Sequence, residues 1–178
     1  GNGSLPDGSN PTYSSLATWE EATDNALEHK ETLYCYDSQA HDDTVTMNGA
    51  TGTSADIYRS IMSATGCATP FEGKSSTGAT FASSSHSILV SIAENYSRVI
   101  NLSYKNTYAS ASTTYGIYTS GNLNTFAINC IVYDSANSGA GNCFSFYGGS
   151  ISRAFFFNCI ARDSEYGFYC ASSANEYV

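Results

Sequence analysis

Apolar and polar residues recur along this chain with two different spacings, and the change between them falls near residue 31. In the stretch 14–30, SSLATWEEATDNALEHK, Leu16, Trp19, Ala22 or Thr23, Ala26 and Leu27 share one face at helical spacing. The pattern predicts a helix within residues 13–31. Thr18 and Glu21 have capping-box spacing, and Ser14 or Ser15 offers an earlier start. Acidic residues come early and His29 and Lys30 come last, the order a helix dipole favours. Leu16 and Trp19 are the expected anchors of this helix to a core. From residue 32 onward the pattern is of short strands, with candidates at Thr32–Tyr36, Thr44–Met47 and Asp56–Met62 between Gly, Asn, Asp and Ser clusters. The stretch 67–87 fits either a loop or a weakly patterned strand layer.

The second half repeats. VINLSYKN (99–106), AINCIVYD (127–134) and FFNCIARD (156–163) align on Asn101, Asn129 and Asn158, at intervals of 28 and 29 residues. A looser block recurs as SILVSIAEN (87–95), YGIYTSGN (115–122), NCFSFYGG (142–149) and EYGFYCASS (165–173), with room for a one-residue shift. A repeat of this length signals a solenoid or propeller. The local alternation calls for strands, no unit holds a crossover helix, and a four-stranded propeller blade would need roughly 40 residues. The expected fold is therefore all-β: a right-handed parallel β-helix carrying an N-terminal capping α-helix. Equivalent residues of successive turns then lie about 4.8 Å apart. Asn101, Asn129 and Asn158 are expected to form a corner ladder, since Asn tolerates left-handed backbone and its amide can bond its neighbour. Ile100, Ile128 and Phe157 are expected as one interior stack, and Leu102, Cys130 and Cys159 as the next. Residues 1–12 read as an extended arm, 13–31 as the cap, and 32–178 as a β-helix incomplete at its C-terminal end. The next corner Asn is due past Val178, so continuation of the chain or a neighbouring subunit is expected there.

Composition narrows the function. Seven Lys and Arg against 16 Asp and Glu give a net charge of −9, which disfavours nucleic acid as a partner. The longest apolar runs fall short of the roughly 18 residues of a membrane span. The six cysteines form no C-x-x-C pair, which disfavours a zinc or thioredoxin-like site; free buried thiols are expected, although stacking would bring Cys130 and Cys159 close enough for a disulfide on distance alone. His41-Asp42-Asp43 reads as a solvated turn rather than a metal site, and no cofactor is expected.

TYSSLATWEEA (12–22), the strand YCYD (34–37) and TVTMNGATGTSADIYRSIM (44–62) resemble the opening of pectin-lyase-like parallel β-helix proteins, and the later units resemble that group's rungs. The resemblance covers residues 12–178. Enzymes of that group use acidic clusters for calcium binding or hydrolysis. Here Asn106, Asp134 and Asp163 stand in one column, with Lys105, Tyr133 and Arg162 beside them, and neither a second acidic column nor a histidine joins them. Tyr104, Tyr115, Tyr118, Tyr133, Tyr147, Tyr166 and Tyr169 could stack sugars or grip a protein. The resulting expectation is a non-enzymatic structural protein of a virus particle, such as a phage decoration, tail or fibre component. Its partners would be other virion or surface proteins, and it would form a homo-oligomer or assembly. The alternatives are a secreted carbohydrate-active enzyme or glycan-binding module, or a bacterial adhesin. All place the chain on a virion or outside the cell.

Overall fold

The computed structural model describes residues 2–3, 13–36, 42–65, 67, 71–73, 77–108, 113–121, 124–133, 140–148 and 153–171. These form a parallel β-solenoid preceded by strand β1 (Asn2–Gly3) and one helix, α1 (Leu16–Thr23). The first turn holds β2 (Glu31–Cys35) and β3 (Val45–Met47). The next holds β4 (Arg59–Ser63), β5 (Thr80–Ser83) and β6 (Ile88–Ile92), followed by β7 (Arg98–Ile100), β8 (Ser103–Asn106) and β9 (Thr113–Gly121). The fourth is β10 (Asn124–Ile128), β11 (Ile131–Tyr133) and β12 (Ala140–Gly148), and the fifth β13 (Arg153–Phe157), β14 (Ile160–Arg162) and β15 (Tyr166–Cys170). From the second turn on, each turn gives one strand to each sheet; the described strands of the first lie in sheets 1 and 3. Sheet 1 runs β1-β2-β4-β7-β10-β13, sheet 2 runs β5-β8-β11-β14, and sheet 3 runs β3-β6-β9-β12-β15. Solenoid neighbours are parallel; β1 joins β2 antiparallel, so the arm's Asn2 and Gly3 lie on the sheet edge. The remainder of the expected arm, 4–12, lies outside the described residues.

Like stacks on like through the interior. Leu33, Ile61, Val99, Ala127 and Phe156 are successive partners in sheet 1 and belong to one core. In sheet 3 the inward column is Val45, Val90, Ile117, Phe144 and Phe168. Phe81 and Tyr104 stack in sheet 2 with centroids 5.3 Å apart. The looser repeat block does need its one-residue shift: Tyr115 pairs with Ile88, not Ser87, and with Asn142.

The asparagine ladder is present. Asn101, Asn129 and Asn158 have φ of 57°, 53° and 50°, the left-handed region that Asn enters at low cost. Asn129 Nδ2 donates to Asn101 Oδ1 at 3.0 Å, and Asn158 Nδ2 donates to Asn129 Oδ1 at 2.8 Å. The backbone repeats the link, because Asn101 N–H donates to the Ile128 carbonyl and Asn129 N–H to that of Phe157.

The interior stack needs a correction. Ile100, Ile128 and Phe157 are register partners as expected, yet they point outward, and Phe157 is 70% exposed. The buried column is one residue earlier, at Val99, Ala127 and Phe156. Alternation holds only inside a strand. The left-handed corner residue interrupts it, so Leu102 and Cys130 face inward although Ile100 and Ile128 do not. Leu102 and Cys130 are fully buried and Cys159 half-buried, as the second expected stack required.

The helix is shorter than its sequence pattern. Ser15 is its N-cap, and the capping box joins Ser15 to Thr18, not Thr18 to Glu21. The helix ends at Thr23, because Asn25 and Leu27 instead exchange backbone hydrogen bonds with Thr51. No acidic residue lies in its first turn and no basic one in its last, so the dipole ordering expected from the sequence is absent. Leu16 and Trp19 do anchor it, with Trp19 fully buried. Beneath it lies Arg59, also fully buried. Arg59 Nε donates to Glu94 Oε1 at 2.9 Å and Nη2 also meets Glu94 Oε2; Nη2 reaches Glu20 Oε1 at 3.1 Å, and Nη1 the Glu20 carbonyl at 3.0 Å. Burial alone would pull the guanidinium pKa down, but the two carboxylates outweigh it and hold the charge. Arg59, on β4, thereby rivets the cap to the second turn and to the corner at Glu94 that follows β6.

One glycine is fixed by packing. A Cβ on Gly116 would lie 2.3 Å from Val132 Cγ1 and 2.9 Å from the Cys143 carbonyl oxygen. Gly116→Ala is expected to cost about 1–3 kcal/mol by overpacking. Urea unfolding checks this, and an unchanged midpoint would contradict the fit.

Candidate functional site

The ladder that closes the interior also builds regular outer faces. In sheet 1, Tyr34, Met62, Ile100, Ile128 and Phe157 are partners across five turns, which makes an outward apolar column along the described solenoid. Its ends, Tyr34 and Phe157, are exposed, and the middle is half-buried. The adjacent column is Thr32, Ser60, Arg98, Phe126 and Phe155. Phe126 and Phe155 stack 4.8 Å apart, and the Arg98 guanidinium lies 3.6 Å over the Tyr58 ring and 5.1 Å from Phe126. The repeat alignment does not reveal this face, because Ile100, Ile128 and Phe157 read there as an interior stack.

On sheet 2, Lys105, Tyr133 and Arg162 are successive partners, and both cations lie 6.0 Å from the Tyr133 ring. The mixed strip expected there is a cation–π sandwich. The two described members of its neighbour column, Asn106 and Asp163, do not converge. Asn106 is buried, its amide donating to the Ser87 and Tyr115 carbonyls at 3.2 Å. Asp163 is exposed and paired with Arg162 at 2.6 Å. Asp134 and His41 lie outside the described residues. Among the described residues no group of three or more His, Cys, Asp or Glu is arranged to hold a metal ion.

Five of the seven singled-out tyrosines meet on the outside of sheet 3. Tyr115, Tyr118 and Tyr147 have centroids 5.1–6.3 Å apart, Tyr169 lies 5.6 Å from Tyr147, and Tyr166 lies 5.4 Å from Tyr169. The small Ser145 sits between the partners Tyr118 and Tyr169, leaving room for both rings. Burial, then the neighbouring Tyr115 hydroxyl, raises the Tyr147 pKa. Tyr104 is excluded from this face; it is buried in the core.

All six cysteines are free thiols. Burial pushes Cys35 up to about 12 and Cys130 well above the ordinary thiol range. The hydrogen bond from Cys130 on the neighbouring turn holds Cys159 below it. Iodoacetamide on the native protein is expected to label Cys159 and exposed Cys170 and to spare Cys35 and Cys130. Peptide mass spectrometry reads this directly, and rapid labelling of Cys130 would contradict its burial.

No helix among the described residues is long and apolar enough to cross a membrane. Comparison of the chain with protein-family models, curated proteins and solved structures found no match.

Proposed function

We propose that this chain is a non-enzymatic structural protein, a stiff β-solenoid element of a virus particle or cell surface that self-associates through the outer face of sheet 1. The observation carrying this reading is the apolar column Tyr34, Met62, Ile100, Ile128 and Phe157, continuous over five stacked turns. Isolated exposed apolar residues are ordinary, whereas a contiguous row on a flat sheet favours burial against a partner. Arg98 lies in the column beside the row, and Arg153 one outward position beyond that column. The virion setting rests on the resemblance to pectin-lyase-like β-helices, and the rigidity on the asparagine ladder and in-register core.

Sedimentation velocity tests the proposal. The wild-type chain is expected to sediment as an oligomer at micromolar concentration. Ile128→Lys, at an outward position, is expected to give monomers with an unchanged thermal transition. A monomeric wild type, or an Ile128→Lys protein still assembled, would overturn it.

The tyrosine cluster of sheet 3 favours a second reading, a glycan-binding module. The outward side chains at this cluster are Tyr, Ser and Asn, with Glu165 raising the pKa of Tyr166 beside it. That chemistry suits stacking of a neutral sugar. Neutral oligosaccharides would then perturb the Tyr118 and Tyr147 ring resonances, and their absence of effect removes this reading.

A further inference from the structure

Cys130 and Cys159 follow Asn129 and Asn158 at the same corner of adjacent turns. The residues on either side are held in register: Asn158 Nδ2 donates to Asn129 Oδ1 at 2.8 Å, and Ile131 pairs with Ile160. The two thiols also make the same contacts one turn apart. Cys130 Sγ lies 3.4 Å from the Ile128 carbonyl oxygen and 3.5 Å from that of Val99 on the turn before. Cys159 Sγ lies 3.4 Å from the Phe157 carbonyl oxygen and 3.3 Å from that of Ala127 on the turn before. Val99 and Ala127 are register partners, and so are Ile128 and Phe157. The two side chains are therefore translated copies, and their sulfurs are separated by about one strand spacing, roughly 4.8 Å. That is well beyond the ~2.05 Å of a disulfide bond. It matches two metal–thiolate bonds of roughly 2.3 Å each, laid end to end.

We propose that Cys130 and Cys159 form a binding site for one copper(I) ion, held in line between the two sulfurs. Soft thiolates select this ion. Among the described residues no group of three or more His, Cys, Asp or Glu is arranged around a metal, so the four ligands that zinc takes are not at hand, whereas copper(I) is satisfied by two. Binding breaks both S–H bonds, forms two S–Cu bonds and releases two protons to solvent, with no change of oxidation state. Burial disfavours the Cys130 thiolate, but hydrogen bonds to the backbone of Leu102 and Ile128 favour it. The Cys130 side chain, and then its backbone, favour the Cys159 thiolate against burial. Entry is from the half-buried Cys159, because Cys130 is fully buried with Leu102 stacked behind it. This site is independent of the sheet 1 face.

The test is an anaerobic titration of the full, reduced chain with tetrakis(acetonitrile)copper(I), in competition with the chelator bicinchoninate. One copper per chain is expected to be retained against the chelator, with an X-ray absorption spectrum of two sulfur neighbours in line. The bound ion is expected to protect Cys159, but not the exposed Cys170, from iodoacetamide. Cys159→Ser is expected to weaken copper binding at least tenfold, and Cys170→Ser to leave it unchanged. No copper retained, a shell of three or more sulfurs, Cys159 still labelled in the loaded chain, or undiminished binding by folded Cys159→Ser would each overturn the proposal. So would a disulfide between Cys130 and Cys159 forming readily in the folded chain with oxidised glutathione, since sulfurs at bonding distance leave no room for the ion. Should Cys159→Ser fail to fold, the absorption spectrum and the protection of Cys159 in the wild-type chain still decide.

Discussion

Replacing Arg59 with Met is expected to lower stability by about 3–5 kcal/mol, the usual cost of removing one partner from a buried ion pair. For a chain of this length that is a fall in Tm of roughly 6–20 °C. The side chain is fully buried, and its loss strands Glu94, itself only 4% exposed. It also cuts the contacts to the Glu20 carboxylate and carbonyl, to Thr23 Oγ1 at 3.2 Å and to the Asn48 carbonyl at 2.6 Å. The double variant Arg59→Met, Glu94→Leu is expected to recover part of the loss, because the stranded charge is then gone. Differential scanning calorimetry of the three proteins checks both statements. A single variant as stable as the wild type would mean that Arg59 does not join the cap to the solenoid.

Asn129→Ala is expected to cost about 2–5 kcal/mol. Asn129 both donates to Asn101 and accepts from Asn158, and each bond contributes about 0.5–1.5 kcal/mol net. Ala at φ 53° adds a further penalty of about 1–2 kcal/mol for left-handed backbone. Asn129→Gly avoids that penalty, so it is expected to be the milder change, with the difference between the two variants reading the strain less the roughly 0.4–1 kcal/mol of extra chain entropy that Gly loses on folding. Solvent reaches the outer bond and softens its loss, so Asn158→Gly is expected to cost less than Asn129→Gly. Urea denaturation of the set gives the ranking, and equal stability for Asn129→Ala and Asn129→Gly would contradict the corner conformation.

The asparagine column was readable in the sequence because its chemistry is specific. A residue that tolerates left-handed backbone and carries its own donor and acceptor recurs once per turn. The inside and outside of sheet 1 were not readable in the same way. The corner at Asn101 breaks the two-residue period, so Leu102 faces in while Ile100 faces out. An alignment finds the partners but not the direction in which they point. The second turn was hidden by its length. Ile61 and Val99 are partners although 38 residues apart (99 minus 61), whereas Leu33 and Ile61 are 28 apart. The longer connection, which includes Cys67 and Phe71, masked the repeat there. The Arg59 site was illegible because its carboxylates lie 35 and 39 residues away; Glu20 is outside the repeats, and Glu94 has no acidic counterpart in the other loose blocks. The five-tyrosine cluster was half legible: the residues stood out, but Tyr104 and Tyr133 could be separated from the others only once the sheets were assigned. Ser15 as the cap was among the starts the sequence allowed, and the Thr51 pairing that ends the helix left no local trace.

Methyl-resolved NOE spectroscopy probes the stacked architecture most directly. The account predicts a chain of strong cross-peaks running Leu33 to Ile61, Ile61 to Val99, and Val99 to Ala127, since each pair occupies facing positions on adjacent turns. Val99 methyls without a contact to Ala127, or contacts pairing these strands in antiparallel order, would contradict it.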